Sequence, residues 1–183
     1  LLEKTQDKNI FKNFFAVGEK GGTWLMIDKY GIIKENKDEL ITVPQSLQNQ
    51  VKTLIEAQYA DSMFYDSSKL TMISTEMKDN LSIEVYKEKQ KELNEELQKL
   101  LETNGLENKL KVDPTTIATD IENKQVGKGF SIKRIAEWLK NNCIKPKQFV
   151  AFGDSIGDFS MAEKLYEMNL QVEFIFVGDK ENL

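Results

Sequence analysis

The chain has 183 residues, of which 40% are hydrophobic, and this length favours one domain or one domain with a sizeable insertion. A total of 25 Lys and Arg residues against 30 Asp and Glu residues gives a formal net charge of −5, which argues against a nucleic-acid partner. The sequence has no histidine and a single cysteine, Cys143. This composition excludes Ser-His and Cys-His catalysis, histidine-rich zinc sites and an intramolecular disulfide, so any chemistry must use carboxylates, lysines, hydroxyls or the backbone.

Cellular location is indicated by the lone Cys143 and by the absence of long apolar runs. One unpaired cysteine fits a reducing cytosol, and no apolar run approaches the roughly 20 residues that a membrane span needs. We therefore expect a cytoplasmic protein with no membrane partner. The sequence opens with Leu1 rather than Met, so Leu1 need not be the first residue of the gene product. The residues leave the oligomeric state open.

The first 34 residues predict strands separated by glycine turns. Apolar runs at residues 14–17 and 23–27 flank the sequence Gly-Glu-Lys-Gly-Gly at residues 18–22. A further turn at Tyr30 and Gly31 leads into residues 32–33, which we interpret as another hairpin arm.

Residues 35–123 predict helix, two strands, helix and two strands. Pro44 stands where the first turn of a helix tolerates proline, and Gly105 is placed to end the second, highly charged helix. The predicted helices lie within residues 42–59 and around residues 87–102, and the predicted strands are residues 63–65, 70–74, 110–112 and 115–121. Such a unit buries one sheet face under two helices and forms a small α+β module.

From residue 124 onwards the pattern changes to helix, strand, helix, strand. The first helix starts near Lys128 and stops before Pro146, and residues 149–152 form a short apolar strand. A helix carrying Met161 and Leu165 follows, and then an apolar strand at residues 172–177. This order is typical of a parallel, doubly wound sheet and predicts an α/β fold class.

Two acidic residues follow the strand at residues 149–152, where open α/β sheets bind their ligands. Asp154 projects from the strand end, and Asp158 begins the next helix. Oxygen ligands of this kind suit Mg²⁺. The alternative is that Asp158 caps its helix and Asp154 makes a turn, but the occurrence of both at one strand end favours the metal site.

The sequence Gly127-Lys128-Gly129 places a lysine between glycines at the start of a helix. The glycines allow close approach of a ligand, and both the ammonium and the helix N-terminus favour an anion such as phosphate. The segment is not a Walker A loop, because Lys128 is followed by Gly129 rather than Ser or Thr. An exposed loop is the alternative.

Taken together, these two segments resemble the third and fourth motifs of haloacid dehalogenase-like (HAD) phosphohydrolases, in the family's order and spacing. Residues 35–123 resemble the α+β cap of the large-cap branch, which contains sugar phosphatases and phosphomannomutases, and residues 15–22 resemble the strand and turn before that cap. The resemblance implies a HAD-like α/β core, incomplete at its N-terminus, formed by residues 1–34 and 124–183, with an inserted cap at residues 35–123.

The resemblance also implies roles for individual residues. Lys128 becomes the catalytic cation that balances the phosphoryl charge, Asp154 becomes the Mg²⁺ ligand, and Asp158 supports the metal directly or through water. The substrate-binding candidates are Lys20, Gly129 and Ser155. Lys20 and Gly127 stand where this branch usually has asparagine.

One family motif is missing, namely the Asp-x-Asp sequence whose first carboxylate is the nucleophile. The nearest approximation, Asp120-Ile121-Glu122, falls at the end of a predicted cap strand. The resemblance implies that the nucleophile precedes Leu1, and that the 183 residues alone are inactive.

We therefore expect a Mg²⁺-dependent phosphatase that acts on a small phosphorylated metabolite, a sugar phosphate, through an aspartyl-phosphate intermediate. The alternatives are a phosphosugar mutase and a non-catalytic binding module with the same fold.

Overall fold

The computed structural model describes residues 11, 13–28 and 30–178. The chain divides into two compact units: Leu1–Asn36 together with Val126–Leu183, and Lys37–Gln125. None of the helices in the described ranges combines the length and the apolar composition needed to cross a bilayer.

In its described residues before Lys37, the first unit contains three strands in the order β1-β2-β3, namely β1 (Phe15–Gly18), β2 (Thr23–Ile27) and β3 (Ile33–Lys37), of which the last residue is assigned to the second unit. Strands β1 and β2 pair antiparallel, with Phe15 opposite Met26 and Gly18 opposite Thr23. The predicted strand, glycine turn and strand are thus present, and the predicted third arm extends to Lys37.

The second unit is a four-stranded antiparallel sheet with two helices. Its elements in chain order are α1 (Gln45–Leu54), β4 (Met63–Tyr65), β5 (Ile73–Met77), α2 (Ile83–Thr103), β6 (Leu110–Pro114) and β7 (Ala118–Asn123). The strand order is β4-β5-β7-β6. Apolar residues at helical spacing, such as Leu93, Leu97 and Leu101, are fully buried in one core with Ile73 and Ile121 of the sheet.

Three predicted positions in this unit are wrong, namely that of Pro44 and the first residues of two strands. Pro44 precedes α1 instead of lying in its first turn, while a π-helical segment, Ile55–Tyr59, extends the helix to residue 59, within the predicted range. The second strand starts at Ile73 rather than at residue 70, and its first residue pairs with Ile121 of β7.

The strand predicted at residues 115–121 starts at Ala118 instead. Thr115 closes a turn there by donating its amide to the Ala118 carbonyl at 2.7 Å. The sequence Asp120-Ile121-Glu122 consequently lies inside β7. Ile121 packs in the core, and the Ser74 hydroxyl donates to Asp120 at 2.7 Å.

The first unit resumes with α3 (Lys128–Asn141), β8 (Phe149–Gly153), α4 (Phe159–Glu167) and β9 (Val172–Phe176). Strands β8 and β9 are parallel, with Gly153 opposite Phe176, and α4 connects them. This βαβ unit confirms the predicted α/β class. Within the described ranges the parallel sheet consists of these two strands.

Candidate functional site

The segment Gly153–Asp158 leaves the carboxyl end of β8 and turns directly into α4. A β-carbon on Gly153 would overlap the side chain of Asp158, so glycine is needed here for the chain to fold back on itself. The turn places Asp158 in a buried position, with 6% of its surface exposed, whereas Asp154 is exposed.

The Asp158 carboxylate binds four donors. Its Oδ2 accepts from the amides of Asp154 and Ser155, both at 3.1 Å, and from the Ser155 hydroxyl at 2.9 Å. Its Oδ1 accepts a hydrogen bond from the Lys128 ammonium. The Lys128 hydrogen bond, reinforced by those of Ser155 and Asp154, overcomes the opposing effect of burial and lowers the pKa of Asp158 to about 2. Asp158 is therefore a charged anchor for the loop.

Lys128 is the first residue of α3, directly after Gly127. Its side chain is 44% exposed, so the ammonium that binds Asp158 also faces solvent. The Gly127 amide donates to the Lys20 carbonyl at 3.0 Å. The start of α3 is thus attached at two places, by the Lys128 side chain to the β8 loop and by the Gly127 backbone to the turn after β1.

Lys20 lies in a short 3-10 segment, Glu19–Gly21, with an unusual backbone. Glu19, Lys20 and Gly21 all have left-handed φ angles, of 47°, 53° and 106°. Non-glycine residues seldom adopt this conformation. Lys20 contacts Gly127 through the Lys20 backbone carbonyl. The sequence gave no reason to expect a backbone contact here.

Gly129 packs at the contact between two helices. A β-carbon there would lie 3.4 Å from the Ser160 carbonyl oxygen and 3.6 Å from the Lys164 Cβ, both of α4. The close packing of α3 on α4 therefore explains why residue 129 is a glycine.

The sequence-predicted site residues thus fall into three groups. One carboxylate brings together Lys128, Asp154, Ser155 and Asp158, and Lys20 is joined to them through Gly127. Gly129 packs elsewhere, on α4.

A metal ion would find one available carboxylate in this loop, that of Asp154. Both oxygens of Asp158 already accept hydrogen bonds, and the described residues contain no group of three or more His, Cys, Asp or Glu side chains suited to a metal. A single hard oxygen ligand fits Mg²⁺, which usually keeps several waters and binds one or two carboxylates plus substrate phosphate. It does not make a complete protein cage.

Arg134 and Gly21 contribute to this region but were missed from the sequence. The Arg134 Nε donates to the Gly21 carbonyl at 3.2 Å. A β-carbon on Gly21 would overlap the Phe130 ring. The only sequence signal was the cluster of glycines at residues 18–22, since an arginine on a helix is ordinarily a solvent-exposed cation.

The haloacid dehalogenase-like hydrolase family matches residues 1–166. The chain therefore belongs to this family, and the resemblance drawn from the two motifs is confirmed. Among curated proteins, none matches the sequence.

Solved structures share the fold at low sequence identity. The trehalose-6-phosphate phosphatase of Aspergillus fumigatus has a TM-score of 0.53 at 16% identity, with 94% of this chain and 62% of that chain covered. A trehalose-6-phosphate phosphatase related protein has a TM-score of 0.54 at 12% identity, covering 93% and 63%. The IMP-nucleotidase of Plasmodium falciparum has a TM-score of 0.52 at 13% identity, covering 92% and 42%.

This chain thus spans less than two thirds of each of these structures. At these identities the similarity shows the fold alone.

Proposed function

We propose that this chain is part of a Mg²⁺-dependent phosphatase that acts on a small phosphorylated metabolite, a sugar phosphate. The observation that carries the proposal is the Asp158 carboxylate, which joins Lys128 at the start of α3 to the backbone of Asp154 and Ser155. A cation and an available carboxylate at a strand end suit a phosphoryl group and its metal ion.

Each residue has a separate role in this proposal. Asp154 holds Mg²⁺. Asp158 orients the loop and the Lys128 ammonium, and it supports the metal directly or through a water molecule. Lys128 balances the charge on the nucleophile and the phosphoryl oxygens. Ser155, Gly129 and Lys20 are the proposed substrate-binding positions. When bound, Mg²⁺ would neutralise negative charge on the phosphoryl oxygens.

The attacking carboxylate is proposed to come from outside these residues, because no Asp-x-Asp sequence occurs among them. Its oxygen would form a bond to phosphorus while the bond from phosphorus to the substrate oxygen breaks, and a neighbouring Asp would protonate that leaving oxygen. Water then cleaves the aspartyl phosphate and restores the carboxylate. Residues 35–123 are proposed as the cap that selects the organic part of the substrate.

The names of the structural neighbours support sugar phosphates as the first substrates to try. Two of the neighbours are a trehalose-6-phosphate phosphatase and a related protein. The third is an IMP-nucleotidase, so a nucleoside monophosphate belongs in the same screen.

The test is phosphate release by the complete gene product with Mg²⁺, over a panel of sugar phosphates and nucleoside monophosphates. We expect Asp154→Asn and Lys128→Met each to lower turnover by about 100-fold or more, since each removes charge stabilisation at the reacting group. Glu137→Gln, which removes an exposed carboxylate on α3 and lies outside the proposed cap, is the control and should leave turnover unchanged.

Three results would contradict parts of this proposal. No turnover on any phosphate ester would favour a binding module, and isomer formation without phosphate release would favour a mutase. Residues 1–183 alone should not hydrolyse p-nitrophenyl phosphate. Mg²⁺-dependent hydrolysis by them that is lost in Asp154→Asn would disprove the external nucleophile.

A further inference from the structure

Arg134 lies in the second turn of α3, and three groups of the first unit surround its guanidinium. The guanidinium carbon lies 4.5 Å from the centre of the Trp24 ring and 5.1 Å from the centre of the Phe130 ring. Its Nε donates to the Gly21 carbonyl at 3.2 Å. A planar cation between two aromatic rings, with one N–H directed at a carbonyl, has little freedom to move.

The turn that Arg134 binds is closed by the Gly22 amide, which donates to the Glu19 carbonyl at 2.9 Å, and its backbone is strained. Glu19 and Lys20 are consecutive non-glycine residues with left-handed φ angles. Such backbone persists where the surrounding structure over-determines it. Two carbonyls that follow one another in this turn are held by α3: Lys20 accepts from the Gly127 amide, and Gly21 accepts from Arg134.

These contacts form a clamp, which we define as the turn Glu19–Gly21 held between Gly127 and Arg134. One end of the clamp is the residue just before Lys128, and the other lies seven residues further along the same helix. Movement of the turn away from Arg134 would carry the Lys20 carbonyl away from Gly127. The helix would then lose the backbone contact that fixes its first residue.

We propose that Arg134 is a positioning residue, which clamps the Glu19–Gly21 turn so that the Lys20 carbonyl fixes Gly127 and, through it, the Lys128 backbone. Its relevance to catalysis rests on the proposed function of Lys128. The clamp itself does not depend on turnover, so the two can be tested separately.

Two substitutions distinguish the positive charge of Arg134 from the planar, hydrogen-bonding shape of its guanidinium. Arg134→Met keeps an apolar side chain between the rings but removes the donor and the charge. Arg134→Lys keeps the charge but replaces the planar fork with a compact ammonium, so it should restore the contact only in part. Lys133→Met is the matched control, since Lys133 is an exposed cation on the same helix that acts on Glu167 of α4.

The direct measurement is hydrogen exchange of the Gly127 amide, followed by NMR on residues 1–183. Arg134→Met should speed this exchange by about tenfold or more, as expected for loss of support by a charged hydrogen bond. Arg134→Lys should give a smaller increase, and Lys133→Met none. The Val177 amide, bonded to the Gly153 carbonyl, and the Ile144 amide, bonded to the Leu139 carbonyl, should keep their rates in every variant.

The clamp is overturned if the Gly127 rate is unchanged in both Arg134 variants, or if it rises in both only in parallel with Val177 and Ile144. In the complete protein, Arg134→Met should lower kcat by about tenfold or more with little change in KM, and Arg134→Lys should recover part of the loss. Faster Gly127 exchange in a protein without any phosphatase activity would support the clamp and defeat the proposed function.

Discussion

The Lys128 ammonium donates a hydrogen bond to the Asp158 carboxylate, which lies 30 residues further along the chain. This contact joins the first residue of α3 to the loop after β8. The side chain of Asp158 is almost fully buried, whereas that of Lys128 is 44% exposed. Solvent therefore screens the attraction between the two charges only in part. The energy of the pair should lie between that of an exposed and that of a buried ion pair.

A double-mutant cycle with Lys128→Met and Asp158→Asn should therefore give a coupling free energy of about 1 kcal/mol. Both tryptophans, Trp24 and Trp138, belong to the first unit, so urea unfolding followed by tryptophan fluorescence reports this unit. The pair Lys164 and Glu167 of α4, whose carboxylate is 62% exposed where that of Asp158 is buried, provides the control, with a coupling below about 0.5 kcal/mol. Equal coupling in the two cycles would show that the Lys128 pair has no special energetic role.

Gly21→Ala should destabilise the first unit by at least about 2 kcal/mol. The φ angle of Gly21 is +106°, and an added β-carbon would overlap the Phe130 ring, so strain and overpacking act together. Gly157→Ala is the control, because a β-carbon there would meet only the Ser155 hydroxyl, at 3.8 Å. Tryptophan fluorescence in urea measures both variants. Similar midpoints for Gly21→Ala and Gly157→Ala would refute the steric explanation.

Helices and strands whose apolar residues recur at regular spacing could be predicted from the sequence, because burial of that apolar face determines which structure the segment forms. Helix α2 is the clearest case, since its buried Leu93, Leu97 and Leu101 follow the spacing of one helix face. The start of β5 could not be predicted in this way. It depends on the pairing of Ile73 with Ile121 of β7, which is a pairing between segments far apart in the sequence.

The candidate site could be located from its residues but not assembled from them. The spacing of Asp154 and Asp158 indicated a ligand loop, yet only the fold shows that Asp158 faces inward to Lys128 while Asp154 remains exposed. The role of Arg134 depends on its hydrogen bond to Gly21, which lies 113 positions earlier in the sequence. No local sequence pattern predicts a contact between residues so far apart.

Asp66, in the turn between β4 and β5, should give the second unit a measurable acid dependence. Burial alone would raise its pKa, but hydrogen bonds from Lys69 and Ser68 lower the pKa to about 2. The folded pKa thus lies below the ordinary value of 3.8, so this stabilisation is complete above that pH and is lost as the pH falls towards 2.

We expect the wild-type second unit to lose about 1 kcal/mol more than Asp66→Asn between pH 5 and pH 2, after allowance for solvent screening. Urea unfolding followed by the NMR methyl signal of the buried Ile73 measures this unit. In Lys69→Met, the carboxyl carbon signal of Asp66 should titrate at a higher pH than in the wild type. An unchanged midpoint would mean that the Lys69 contact, at 2.8 Å, does not set the pKa of Asp66.

Gln90→Leu should destabilise the second unit by about 1 kcal/mol, because it removes the hydrogen bonds of a buried amide, while the Ala118 carbonyl keeps the Thr115 amide as a donor. The Gln90 side chain is buried between α2 and β7. Its amide nitrogen, which has two hydrogens to donate, lies 2.8 Å from the Ala118 carbonyl and 3.1 Å from both the Thr115 carbonyl and the Thr119 hydroxyl. Leucine fills the same space without these bonds. Gln98→Leu, on the exposed face of the same helix, should change stability by less than about 0.5 kcal/mol. Urea unfolding, followed by the Ile73 methyl signal, compares the stability of the two variants. A Gln90→Leu protein as stable as the wild type would show that apolar packing alone holds α2 against β7.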